Sequence, residues 1–154
     1  MNMSYREKIV WCSLIATLFV FGGYFMNIVR MAMAGPLDAS HVLGLFIGAV
    51  VVQTLLLIGI GIVFAIDSPQ AADQPSDERD AAINLRAYRW GYLVLLIGIV
   101  ISITGIVGLH VLSATPFART ALQPAMLVQP LLFWVVLAEG IRMLSQAIGY
   151  RRGA

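Results

Sequence analysis

The chain has 154 residues, of which 60% are hydrophobic and 12% charged, with a formal net charge of +2. Soluble domains carry roughly 25% charged residues, so a chain this apolar has too little polar surface to cover a water-exposed fold. The small net charge, with no basic patch between the apolar runs, gives no reason to expect a nucleic-acid partner, and the single cysteine, Cys12, excludes an intrachain disulfide or a cysteine-based zinc cluster.

The charges fall in clusters that leave four uncharged apolar runs, each near or above the roughly 20 residues that span a bilayer core. They predict transmembrane helices over about 9–29, 42–66, 91–112 and 125–148, because lipid offers the backbone no other hydrogen-bond partners. Arg6 and Lys8 precede the first run, and Ala32-Met33-Ala34-Gly35 resembles a signal-peptidase site. The run is longer than a signal-peptide core of 7–15 residues, so a signal anchor is the expectation. Between the first two runs, Gly35-Pro36 signals a turn, with Asp38 or Ser40 placed to cap the second helix.

The segment 67–90 joins the second and third spans. Its first part, Ser68 to Ser76, reads as a polar linker; Asp77-Glu78-Arg79-Asp80 then opens a helix expected to continue unbroken into the third span. Ser76 or Asp77 can cap that helix, and carboxylates at 77, 78 and 80 suit its positive dipole end. Arg79, Ile83, Arg86 and Trp90 share one helical stripe. That stripe can lie at the membrane surface, pack under the bundle or meet a partner. Thr115-Pro116-Phe117 predicts a short interfacial helix over 116–122, and Pro130 predicts a kink in the fourth span.

Basic residues set the expected direction. With the N-terminus inside, Arg6, Lys8, Arg79, Arg86, Arg89, Arg142, Arg151 and Arg152 fall on the cytoplasmic side, and only Arg30 and Arg119 outside. Lys and Arg excess marks the cytoplasmic face. Tyr5, Trp11, Trp90, Tyr92 and Tyr150 stand at span ends, where amphipathic rings prefer the headgroup level. Trp134 lies inside the fourth span and is expected between helices.

The run Asp77-Glu78-Arg79-Asp80-Ala81-Ala82-Ile83, followed by Ala87 and an apolar span, resembles the D-E-R-x-x-x-I signature of small, uncharacterised prokaryotic four-helix membrane proteins. Tyr5-Arg6-Glu7-Lys8, Trp11 and Gly22-Gly23-Tyr24-Phe25 are similar to that group as well. The resemblance implies four helices, with the motif between the second and third. Some members are thought to accompany small transcriptional regulators, which implies a sensing or accessory role.

Several residues are costly to keep in lipid. Glu139, Arg142 and Gln146 share a stripe of the fourth span, so an intrahelical ion pair is easy to form. The alternative is a site within the bundle that takes up a proton or binds a cationic group. Gln53 and Gln129 are expected to join helices by hydrogen bonds, and Gln53 with Glu139 and Arg142 could instead line a polar path. His41 and His110 stand at the outer ends of the second and third spans, which allows interfacial roles or bis-histidine haem ligation. Two histidines with Asp38 lack a third strong ligand at metal spacing. Gly44-x-x-x-Gly48, Gly98-x-x-x-Ser102 and Thr104-x-x-x-Gly108 have the spacing of close helix contacts.

Together these features predict an all-α, integral-membrane four-helix bundle in one domain, with both termini cytoplasmic, in a prokaryotic inner membrane. No catalytic motif is present and no cofactor is expected. The leading functional expectation is a non-enzymatic accessory or regulatory protein that acts by helix-mediated association, with the bilayer and a second copy or another membrane protein as partners. Asp77, Glu78, Arg79, Asp80, Ile83, Arg86 and Trp90 are its candidate docking residues. The alternatives are a subunit of an oligomeric transporter or channel, and a haem or redox membrane protein.

Overall fold

The computed structural model describes residues 3–73, 77–111 and 122–152. They form α1 (Tyr5–Ala34), α2 (Ala39–Asp67), α3 (Pro69–Ala72), α4 (Glu78–Val111) and α5 (Pro124–Arg152). Four of these, α1, α2, α4 and α5, are long and apolar enough to cross a membrane. Helices α1, α2 and α5 extend past both ends of their predicted runs, and α4 starts well before residue 91, at the acidic motif expected to open it, and is described to Val111. All but Leu122 of the predicted helix over 116–122, the Ser76 cap and the Gln74-Pro75 part of the linker lie outside the described residues.

The caps show why the elements begin and end where they do. Ser4 Oγ accepts from the Glu7 amide at 3.2 Å and starts α1. Gly35, with φ of 157°, ends it, and Pro36 cannot continue it. Asp38, not Ser40, caps α2. Its carboxylate accepts from the amides of Ser40 and His41, both at 3.3 Å, while the Ser40 hydroxyl donates to it at 2.6 Å. Part of the expected polar linker is instead the single turn α3, because Pro69 brings a preset φ to its first position. The start of α4 is a reciprocal cap. Asp77 Oδ1 accepts from the Asp80 amide at 2.7 Å, and Asp80 Oδ2 from the Asp77 amide at 3.3 Å.

The most extensive interface is α4 against α5; α1 packs on both α2 and α5, and α2 and α4 do not pack along one another. The helices therefore run in the spatial order α2, α1, α5, α4, open between the first and last. Two clusters hold α1 in place. At the end that carries both termini, Val10 and Leu14 of α1 meet Met143 and Ala147 of α5. At the opposite end, Tyr24, Ile28 and Val42 are buried with Phe25, Phe46, Met126 and Leu132 around them.

Lipid is as apolar as leucine, so contact between these helices depends on close packing rather than on exclusion from water. The α4–α5 pair shows how this is achieved. Gly98 is buried under Trp134, and a Cβ there would coincide with the indole. A Cβ on Gly149 would sit 2.7 Å from Ile83 Cγ2, and one on Gly91 3.0 Å from the Ala138 carbonyl oxygen. Trp134 thus packs between helices, as its place in the fourth span predicts. An edge-to-face chain links Trp134 to Phe133, Phe133 to Phe25, Phe25 to Tyr24, and Tyr24 to Phe46.

Candidate functional site

Helical spacing places Glu139, Arg142 and Gln146 on one face of α5, and the structure joins them into a network that reaches α4. Arg142 donates through Nε to Glu139 Oε2 at 2.8 Å and through Nη2 to Oε1 at 2.5 Å. Its Nη1 donates to Gln146 Oε1 at 3.3 Å, and Gln146 Nε2 donates to Asn84 Oδ1 of α4 at 2.6 Å. The guanidinium also lies 5.1 Å from the centre of the Tyr88 ring, a favourable contact with its negative face. The arginine side chain is 19% exposed and the glutamate 43%. The cation is thus the more enclosed partner, held by a bidentate carboxylate, an amide and a ring. Chemically this is a satisfied clasp between α4 and α5 at the termini end. Asn84 and Tyr88 were not legible as its members, because a polar side chain one turn from an arginine-rich helix start carries no pairing signal.

The acidic motif divides between surface and interior. Asp77, Glu78 and Arg79 are exposed. Asp80 closes the helix cap and also takes Arg6 Nη1 of α1 at 2.5 Å, its side chain 15% exposed. The Asp80 amide bond draws the Asp77 carboxyl below the usual aspartate range. Ile83 is buried against Gly149. Arg86 and Trp90 are exposed and line a crevice of about 320 Å³ with Arg152 of α5. Of the predicted docking stripe, Ile83 therefore works as an internal contact, and Arg79, Arg86 and Trp90 remain on the surface.

In the middle of α2, Gln53 is 8% exposed and donates through Nε2 to Thr17 Oγ1 of α1 at 2.7 Å. Thr17 passes its own proton to the Ser13 carbonyl at 2.8 Å, while Gln53 Oε1 has no partner among the described residues. Gln129 likewise joins helices. It accepts from the Tyr24 hydroxyl at 3.0 Å and donates to the Ala125 carbonyl at 3.0 Å. No hydrogen bond among the described residues connects Gln53 with the Glu139 network. His41 and His110 are both exposed and belong to α2 and α4, which are not neighbours. The fold does not bring the two imidazoles to a shared site. Among the described residues no group of three or more His, Cys, Asp or Glu side chains is placed to hold a metal ion.

The outer surface of α1 and α2 carries a different feature. Gly23 of α1 and Gly44 and Gly48 of α2 line one groove of about 620 Å³, together with Asn27 and His41. A Cβ added to any of these three glycines meets no atom within 4 Å. Helix α2 buries only Val42 and Gln53. Glycine spacing in α2 was legible in the sequence; that its partner face includes Gly23, and that no helix among the described residues fills it, was not.

In comparisons with known proteins, the chain matches no family model, no curated protein and no solved structure.

Proposed function

We propose that this protein is a small, non-enzymatic accessory or regulatory protein of a prokaryotic inner membrane, working by lateral association of helices through the groove between α1 and α2. The observation that carries this reading is the convergence of Gly23, Gly44 and Gly48 on one unfilled face. Glycine within a helix is less stable than alanine by roughly 0.5–1 kcal/mol. At Gly91, Gly98 and Gly149 the approach of another helix offsets that penalty. At Gly44 and Gly48 nothing among the described residues does so, and a docked helix would.

The occupant is the α2 helix of a second copy. Gly44-x-x-x-Gly48 can face itself across a two-fold axis, which brings the two backbones into close van der Waals contact. The bias of Lys and Arg, eight residues against two, supports cytoplasmic termini and a cytoplasmic Asp77–Trp90 segment. Arg79, Arg86 and Trp90 then face headgroups or a cytoplasmic partner, consistent with the accessory role implied by the resemblance of the acidic motif.

Labelled protein diluted into liposomes and counted by single-molecule photobleaching tests the association. A two-step population is expected, reduced about tenfold or more when Gly44→Ile and Gly48→Ile are combined. Single-step bleaching at every protein-to-lipid ratio would overturn the proposal.

A further inference from the structure

The crevice between α4 and α5 lies at the end of the bundle that carries both termini and encloses about 320 Å³. Its lining is graded along the helix axes. Ile83 meets Gly149 and Gly91 meets Arg142 across the antiparallel contact, so Arg86 is level with residues near 146 and Trp90 with Ile141. Arg152 and Arg86 therefore stand at the outer end, Ser145 lies farther in, and Trp90, Ile141 and Leu144 line the inner part. From Arg86 to Trp90 is about 6 Å by helix rise, and from Arg152 to Ile141 about 16 Å. No carboxylate lines the crevice. Among the described residues, neither guanidinium has a hydrogen-bond or ion-pair partner, and neither does the half-buried Ser145 hydroxyl. Other arginines at this end are matched: Arg6 takes Asp80, and Arg142 takes Glu139.

Depth narrows the chemistry that can satisfy this pair. Trp90 immediately precedes the uncharged run of the third span, which puts the arginine end at the headgroups and the inner wall at the edge of the hydrocarbon. Guanidinium groups hold phosphate oxygens through paired N–H donors, and basic pockets between helices at this level select anionic headgroups. A soluble phosphate would match the cations and leave the apolar wall unused. A phospholipid presents phosphate, ester and acyl chain in the same order as the lining. A zwitterionic headgroup brings its own cation beside the two arginines; an anionic one does not. We propose that this crevice binds one anionic phospholipid, with its phosphate between Arg86 and Arg152, its ester region accepting from the Ser145 hydroxyl, and an acyl chain against Trp90 and Ile141. The site rests on the membrane reading of the chain but not on pairing through α2, which lies on other helices.

The full chain, purified in a mild non-ionic detergent, is titrated with phosphatidylglycerol or with phosphatidylcholine of the same acyl chains, and bound lipid is counted by native mass spectrometry. One phosphatidylglycerol is expected to bind saturably, about 5- to 30-fold more tightly than phosphatidylcholine. Arg86→Gln combined with Arg152→Gln should erase that preference; both side chains are exposed and unpaired, so the fold is kept. Arg151→Gln removes a charge from the same end but outside the crevice and should retain the preference. Equal affinity for the two lipids overturns the proposal, as does a double variant that still prefers phosphatidylglycerol. An Arg151→Gln loss as large as that of the double variant would mean diffuse attraction and overturn it too. Displacement of the lipid by millimolar glycerol phosphate would assign the cations to a soluble phosphate, with the same result. A chain that never pairs through α2 can still bind the lipid, so the two readings fail separately.

Discussion

Replacing Gly98 with alanine adds one methyl group where the Trp134 side chain of α5 lies against α4. The added Cβ would occupy the space of Trp134 Cγ, Cδ2 and Cβ, so the indole must leave its rotamer or the helices must separate. Inserting a methyl group into a packed contact costs about 1–3 kcal/mol, and the overlap with three atoms places this case at the upper end. Alanine regains about 1 kcal/mol of helix propensity, which leaves a net loss of about 2 kcal/mol. Gly108→Ala on the same helix meets no atom within 4 Å and should instead stabilise by up to about 1 kcal/mol. Reversible unfolding in mixed micelles, followed by circular dichroism, would read both changes. Gly98→Ala combined with Trp134→Leu should recover part of the loss, because the smaller side chain vacates the overlap. A Gly98→Ala protein as stable as wild type would refute the close α4–α5 contact and the register derived from it.

Two further outcomes concern the start of α4. Asp80→Asn keeps an acceptor for the Asp77 amide but removes the charge that faces Arg6; a double-mutant cycle with Arg6→Gln should give a coupling of about 1 kcal/mol or less, the range for a partly exposed pair, and a coupling of zero would remove this tie between α1 and α4. Because the Asp77 carboxyl is held below its usual range by the Asp80 amide, its capping contribution is fully present above the unfolded aspartate pKa and is lost as pH falls through the lowered folded value. The NMR shift of the Asp80 amide should therefore titrate with a midpoint below that of an unfolded aspartate, and a midpoint above it would show that the cap does not favour the carboxylate.

Much of the fold was legible in the sequence because the bilayer imposes one rule that composition alone can satisfy. A long uncharged run has to become a helix, so the four spans and the unbroken helix from the acidic motif into the third span followed from residue order, while the caps were narrowed to Asp38 or Ser40 and to Ser76 or Asp77. The Glu139–Arg142–Gln146 stripe was legible for a similar reason: its members are three and four residues apart on one helix, where local geometry determines contact.

What the sequence could not decide was which helix faces which. Every span is apolar on most sides, so hydrophobic periodicity does not point to a core in lipid, and neighbours are chosen by shape. Only the tertiary arrangement seats Trp134 on Gly98, carries the Arg142 clasp to Asn84 and Tyr88, and joins Arg6 to Asp80. It also separates the two histidines onto helices that do not pack along one another, and it leaves the Gly23–Gly44–Gly48 face unfilled among the described residues. Residue order determined that the chain crosses a membrane four times; packing, through contacts of a few ångströms between residues far apart in sequence, determined which of its surfaces remain available to bind anything else.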